Sequence, residues 1–445
     1  MNWKRLLSSN RIGKSTKSET FRSAFEQDYD RIIFSHPFRR LQDKTQVHPL
    51  PEYDFVHTRL THSLEVSSVG RSLGKKVGEA ILQKYPELTD NGFTPYDFGA
   101  IVAAASLAHD IGNPPFGHSG ESAISDFYNE KQRADLYKSQ MSKEQWADIV
   151  DFEGNAQGFR LMNQTNGLQL TCATLATFTK YPRPSLISEK DNTRKSQKKF
   201  GYFQSDKQAF LELAGEVGLV DYSKEGIWSR HPLAFLVEAA DDICYQVIDL
   251  EDGCRLELVS YEETIKLLGG IIGKDFNPLK LEKYNSNAER VGVLRAMAIG
   301  KLVDECVAVF LEKEEELLTG EFDRALTGLI PSKDILKSIE VVSINKIYQS
   351  RKVLEKEAAG FQVLPGLLEA FTSAVYANYC DKPSYTKKLQ NLIRLLPEEI
   401  RSKMDQSSDS LYDLLMITND FISSMTDSHA ISLYRKIKGI SLPIA

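Results

Sequence analysis

The sequence has no Cys-x-x-Cys pair, and its five cysteines, Cys172, Cys244, Cys254, Cys306 and Cys380, are scattered and odd in number. They offer no disulfide framework and read as buried, reduced thiols of a cytoplasmic protein. The opening "MNWKRLLSSNRIGKS" lacks the apolar core of a signal peptide. The apolar run "AIVAAASLA" is far shorter than the roughly 20 residues that cross a bilayer, so no membrane is expected. Basic residues are not in excess. The formal net charge of −6 argues against a protein-wide nucleic-acid-binding surface and leaves room for a local basic groove. No period-2 alternation is sustained and no fixed-period repeat is present.

What remains is a helical pattern nearly throughout. The spacing of apolar residues predicts helices at about 62–85, 97–110, 119–130, 145–165, 231–250, 291–318, 333–358, 365–380, 385–396 and 427–438. The 445 residues allow about three average domains or one large all-helical one. One segment breaks the pattern. From Arg183 to Lys207 seven Lys/Arg stand against three Asp/Glu with few apolar residues. It reads either as a solvated, mobile loop or as a lid that brings cations to an anionic substrate.

The chemistry concentrates in "SLAHDIGNPPFGHSGE", residues 106–121. Phe98, Ile101, Val102 and Ala105 mark the apolar face of the preceding helix, and His109 continues it inward. Asp110 falls in the last turn, where the helix dipole disfavours a carboxylate, so it calls for a cation. Gly112 and Pro114-Pro115 end the helix. Upstream, His62, Val66, Val69, Leu73 and Val77 share one stripe. Downstream, a helix started by Pro232 has the apolar stripe Leu236, Ile243, Val247 and Leu250 and a second line, Asp241, Tyr245 and Asp249, spaced by four. His62, His109, Asp110 and Asp241 make a mixed N/O donor set. It suits a six-coordinate Mn²⁺, Fe²⁺ or Mg²⁺ better than a closed zinc site. Asp242 is the alternative to Asp241, which is preferred for its line with Tyr245 and Asp249.

The stretches "HTRLTHSLEV", "HDIGNPPFGHSGE", "FEGNAQGFRLM", "EAADDICYQVIDLEDG" and "MTDSHAISLYRKIKG" together resemble the bacterial deoxyguanosine triphosphate triphosphohydrolases. These are HD-domain phosphohydrolases and cousins of the mammalian HD-domain dNTP hydrolase. The likeness runs from about Phe21 to Gly439. It implies an all-α HD-domain fold with additional C-terminal helices: an HD core over residues 1–260 and, over 261–445, a helical region packed on it that contributes to the nucleotide pocket. It further implies hydrolysis of dGTP, or of other dNTPs, to deoxynucleoside and inorganic triphosphate, with one divalent ion per site. Homo-oligomers, commonly hexamers, are implied too, with single-stranded DNA as an effector in a relative.

Residue by residue, the resemblance makes His118 and Glu121 the catalytic pair. Ser119 as N-cap would put them three apart across a helix start, where the carboxylate would orient the imidazole and raise its pKa for general-acid work. Arg59 matches a phosphate contact, and Asn113 stands where the mammalian relative has histidine. Lys198 and Lys199 are phosphate candidates from the basic segment. Tyr245 matches the tyrosine that packs where a 2′-hydroxyl would sit, and Gln46 and Asp249 match 3′-hydroxyl contacts. Tyr348 and Glu357 resemble base-pocket positions, with Glu355 as the alternative acid and Arg394 as a cation over the other ring face. The alternatives are an HD phosphohydrolase of another nucleotide, or a non-catalytic nucleotide sensor that binds nucleic acid.

Overall fold

The computed structural model describes residues 1–13, 22–46, 57–164, 168–223 and 226–441, with every side chain among them except that of Lys352. Residue 165, the expected end of one helix, lies outside this set. Among the described residues the strands are one short antiparallel hairpin, Asp221–Ser223 with Ile227–Trp228, and the rest is helices and turns. The fold is all-α.

Helix α1, Arg59–Lys84, starts three residues before the expected position because Thr58 caps it, its hydroxyl accepting the Thr61 N–H. Its buried stripe holds His62, Val66, Val69, Leu73 and Val77 as the spacing predicts. Helix α2, Pro95–Ala108, is capped by Thr94 and Asp97 with Pro95 in its first turn. Its Phe98, Ile101 and Val102 are fully buried, each contributing about 1.5–3 kcal/mol by leaving water. The two helices meet backbone to backbone. A Cβ built on Gly74 would lie 2.6 Å from the Phe98 carbonyl oxygen and 3.0 Å from Gly99 Cα. Gly70 and Gly78, one turn to either side, leave similar room for Ser106 and Phe98. This contact fixes His62 on α1 relative to the end of α2. That end comes at Ala108 rather than Asp110: His109 is the C-cap, its N–H turned back to the Ser106 carbonyl.

Helix α3, Gly117–Asn129, follows the Gly/Pro loop. The helix expected at 145–165 is two, Lys143–Val150 and α4, Gly154–Gln164. The break frees the Gly154 N–H for a carboxylate. Helix α5, Ala234–Arg255, packs against α1 and α2 on the stripe Leu236, Ile243, Val247 and Leu250. His57, just before α1, clamps it to α5. Its Nδ1 donates to Asp252 at 2.6 Å and its Nε2 to Glu65 at 3.0 Å. Burial alone would lower its pKa, but the two carboxylates carry it up to about 10, so the ring is a fixed imidazolium.

The expected 291–318 helix is α6, Asn287–Glu312, followed by Glu314–Thr319. The expected 333–358 helix divides into Lys333–Val342, a π-helical turn Ser343–Tyr348, and α7, Arg351–Tyr379. The break expected between residues 358 and 365 is absent, and α7 continues through Pro365. An interior proline costs about 3 kcal/mol. Leu364, Leu367 and Leu368 around it are fully buried, enough to hold the helix through it. By length and composition α7 could cross a membrane over Val353–Tyr379; half of its most apolar window is buried inside the fold. Helices α8, Leu411–Ser423, and α9, Asp427–Ile437, pack on α7. Ala24–Phe34, Lys207–Val217, Tyr261–Ile272 and α8 are helices the sequence pattern did not single out.

Two apolar cores result. One gathers α1, α2, α5 and α6. The other joins α3 and Lys143–Val150 to α7, α8 and α9. Both run across residue 260. The basic segment is irregular, but Arg183, Ser196, Gln197, Phe200, Tyr202 and Phe203 are buried, so it is anchored rather than a free loop. The cysteines are all free: Cys172, Cys244 and Cys306 are buried, Cys254 is partly so, and Cys380 is exposed, against the expectation of burial.

The α1–α2 contact yields a stability test. Gly74→Ala should destabilise the fold by about 1–3 kcal/mol, the usual cost of overpacking. Gly300→Ala, on the open face of α6 with nothing within 4 Å, should stabilise it by about 0.5–1 kcal/mol. Thermal melts of the two variants check both signs.

Candidate active site

Three donors converge where α1, α2 and α5 meet. His62 Nε2 lies 3.2 Å from Asp241 Oδ1, and His109 Nε2 lies 3.4 Å from the same oxygen. One ligand atom from each of the three lies within 4.8 Å of the others. His109 Nδ1 donates to the Ser106 carbonyl at 2.7 Å. A carbonyl can only accept, so a proton sits on Nδ1 and Nε2 is the nitrogen turned to the cluster. Two imidazole nitrogens and a carboxylate oxygen at this spacing fit a divalent cation.

Asp110 stands at the edge of the cluster. Its Oδ1 is 3.6 Å from His109 Nε2 and accepts from Asn113 Nδ2 at 2.6 Å, while Oδ2 faces the Arg59 guanidinium at 2.9 Å. The cation its position called for is therefore Arg59, on the first residue of α1. Burial would raise the Asp110 pKa, but Arg59 and the two histidines bring it down to about 2. Asp242 faces away, its Oδ2 accepting from Thr327 Oγ1 at 2.7 Å, so geometry favours Asp241. Lys180 escaped the sequence reading. Its Nζ lies 2.7 Å from Asp241 Oδ2. Against burial, Lys180 and His109 hold the Asp241 carboxyl well below the usual range. The available signal was a lone charge in the small and apolar run "TCATLATFTKYP".

The Gly/Pro loop differs from expectation. Phe116 and Gly117 are both left-handed, φ 65° and 61°, and α3 begins at Gly117. Ser119 is thus inside the helix and does not cap it. A Cβ on Gly117 would lie 2.7 Å from the Arg59 guanidinium, so glycine lets the loop approach that cation. His118 projects to the open side. Glu121 is buried, accepting from the Gly154 N–H at 2.9 Å and facing Lys199 Nζ at 3.5 Å. Lys199 also pairs with Glu153 at 3.1 Å. Among the described residues no hydrogen bond joins His118 to Glu121. Desolvation first, then Lys199 and Arg59, push the His118 pKa down, opposite to the expected rise, and Asp110 and Glu153 do not offset them.

Beside this cluster opens a cavity of about 230 Å³ lined by Gln46, Arg59, His118, Tyr245, Tyr348 and Glu357, among others. Tyr245 connects the two: its ring centroid is 6.5 Å from that of His62 and 5.6 Å from that of Tyr348. Gln46 Oε1 is buried without a hydrogen-bond partner. Asp249 is not part of the wall. It lies buried behind Tyr348, whose hydroxyl donates to it at 2.7 Å, and burial lifts its pKa to about 8. Glu355 pairs with Arg351 at the exposed surface, leaving Glu357 as the acid on the wall. Asn113 is occupied with Asp110 through its amide and accepts from Lys44 Nζ through its carbonyl at 2.6 Å. Lys198 and Arg394 are exposed and outside the wall.

Residues 59–150 match the HD domain family and residues 333–436 the Phosphohydrolase-associated domain family. Full-length relatives agree. A deoxyguanosinetriphosphate triphosphohydrolase-like protein of Synechocystis sp. is 43% identical over 458 residues, covering 99% of this chain and 100% of the relative. One from Pseudomonas aeruginosa is 40% identical with 100% of both covered. The deoxyguanosinetriphosphate triphosphohydrolase of Salmonella typhimurium is 30% identical, covering 99% of this chain and 98% of the relative. With the HD histidines and aspartates gathered beside a polar cavity, the chain belongs to the HD-domain family of deoxyguanosinetriphosphate triphosphohydrolase-like phosphohydrolases.

Proposed function

We propose that this phosphohydrolase cleaves dGTP, and other dNTPs less well, to deoxynucleoside and inorganic triphosphate. The observation that carries the reading is the convergence of His62, His109 and Asp241 within 4.8 Å, joined by Tyr245 to a cavity with an acid at its far wall. A divalent ion, Mn²⁺, Mg²⁺ or Fe²⁺, held by these three and by Asp110 would supply Lewis acidity and lower the pKa of a water.

The chain's own residues do the rest. Arg59, on the wall and paired with Asp110, faces the phosphates as a fixed donor. Lys180 and Lys199 bring further positive charge toward the cluster. His118, open to the cavity, protonates the departing 5′-oxygen, while Glu121, held by Gly154 and Lys199, tempers the charge around it. Tyr245 packs against the sugar where a 2′-hydroxyl would lie, with Gln46 beside it. Tyr348, braced by Asp249, stacks on the base, and Glu357 accepts from the guanine N1–H and N2–H₂ edge. The family resemblance extends the reading to a cytoplasmic homo-oligomer, a hexamer, with single-stranded DNA as effector. One panel tests the reaction: four dNTPs and four NTPs with Mn²⁺ or Mg²⁺, products resolved by chromatography. Triphosphate release from dGTP supports it; pyrophosphate or monophosphate release overturns it in favour of another HD chemistry.

Removing a ligand should empty the metal site. His109→Ala is expected to lose bound metal and turnover together, whereas Asp242→Asn keeps both. Metal analysis of the purified variants decides, and stoichiometric metal in His109→Ala contradicts the assignment.

His118→Ala should keep its metal and lose about 10²–10⁴-fold in kcat, the usual worth of general acid–base catalysis. The pH profile adds a signature. With its pKa lowered in the free enzyme, His118 loses its proton below the usual histidine range, so kcat/KM falls early as pH rises. A bound triphosphate brings about four negative charges and raises that pKa, so the basic limb of kcat should sit at higher pH than that of kcat/KM. Coincident limbs, or limbs unchanged in His118→Ala, assign the proton elsewhere.

Glu357→Gln should weaken dGTP hydrolysis more than dATP hydrolysis, by about 1.5–3 kcal/mol for the lost charge-assisted pairing. Equal losses in a dNTP competition assay remove Glu357 from base recognition.

A further inference from the structure

Three walls of the cavity come from distant parts of the chain, and one carboxylate touches them all. Asp427, in the first turn of α9, is completely buried. Its Oδ1 accepts the Phe116 N–H at 3.0 Å. Its Oδ2 accepts the Thr45 N–H at 3.1 Å and the Lys356 ammonium. Thr45 precedes Gln46, Phe116 stands two before His118, and Lys356 precedes Glu357. Thr45, Phe116 and Lys356 line the cavity themselves.

The contact to Phe116 matters most. A non-glycine residue at φ 65° is uncommon and strained, so it persists where the surroundings over-determine it. Three contacts do so here. Asp427 holds the N–H, Gly360 of α7 leaves room for the ring (a Cβ there would come within 3.0 Å of Phe116 Cβ), and the Lys356 ammonium lies 5.9 Å above it. The left-handed turn launches α3 and aims His118 at the cavity. From the other side buried Lys44 donates to the Asn113 carbonyl at 2.6 Å and to the Ser423 carbonyl, at the end of α8, at 2.8 Å. The Gly/Pro loop is thereby tied twice to the C-terminal helices, and the Asp427 tie also holds Thr45 and Lys356, the neighbours of Gln46 and Glu357.

We infer that Asp427 is a positioning residue: through Phe116, Thr45 and Lys356 it sets His118, Gln46 and Glu357 around the nucleotide while leaving the metal cluster untouched. The inference rests on the cavity being the nucleotide site. It also assigns the C-terminal helix a part in turnover beyond packing.

The test combines hydrogen–deuterium exchange, metal analysis and steady-state kinetics on full-length wild type and Asp427→Asn. Exchange at Thr45–Gln46 and Phe116–His118 should rise by about tenfold or more, as expected for loss of a charged hydrogen-bond acceptor, with α1 and α2 as protected as in wild type. Bound metal should be unchanged and kcat for dGTP should fall at least about tenfold, a larger change than in KM. Unchanged exchange in these two segments overturns the inference. So does a general loss of protection that includes α1 and α2, or a loss of turnover matching a loss of metal. Insoluble protein from both Asp427→Asn and Asp427→Glu overturns it as well, since it would make the carboxylate a requirement for folding. A wild-type enzyme inactive on every dNTP, with the local exchange increase present, overturns the hydrolase reading and supports the tether.

Discussion

Six ionisable side chains, Arg59, His62, His109, Asp110, Lys180 and Asp241, share one poorly hydrated junction of three helices, and none of them is stable there alone. Burying an isolated charge costs several kcal/mol, so each must find an opposite partner at close range. The pairs found are Arg59 with Asp110 at 2.9 Å and Lys180 with Asp241 at 2.7 Å, with the imidazoles between the two acids. Each pair draws its members from different segments. The charge balance therefore constrains how these segments meet, and it leaves the histidine nitrogens and an Asp241 oxygen facing one another.

The backbone provides the rigidity this balance requires. The glycines of α1 bring its axis against α2, which sets the distance between His62 and the C-cap His109. The α5 helix then delivers Asp241 to the cluster and Tyr245 to the cavity one turn later. The same helix carries Asp249 one turn further, behind Tyr348. The donor cluster, the cavity wall at Tyr245 and the support behind Tyr348 thus each take a residue from successive turns of one element, which is why the acid–tyrosine–acid line was visible at spacing four. Its last member lies behind a wall residue, hydrogen-bonded to the Tyr348 hydroxyl.

Local pattern was legible in the sequence and pairings across the chain were not. The buried stripe of α1, the inward His109 and the stripe of α5 follow from a period of 3.6 and came out in place. The fold class followed with them. Ser119 failed as a cap because the turn is made by two left-handed residues, and nothing in "PPFGHSG" distinguishes Phe116 as one of them. The expected His118–Glu121 pair failed because Glu121 is claimed by the Gly154 N–H and by Lys199, 33 and 78 residues away in sequence. Lys180, Lys44 and Asp427 went unnoticed for the same reason: their partners lie from 61 to 382 residues away. The break expected between residues 358 and 365 is absent because burial that the sequence does not display position by position outweighs the local penalty of Pro365.

In the proposed reaction water attacks the α-phosphorus, and the bond broken joins this phosphorus to the 5′-oxygen. Hydrolysis of dGTP in ¹⁸O-enriched water, with both products analysed by mass spectrometry, reads that bond directly. One labelled oxygen in the inorganic triphosphate and none in the deoxyguanosine is the expected result. Label in the nucleoside, or labelled pyrophosphate or monophosphate in place of triphosphate, would contradict it.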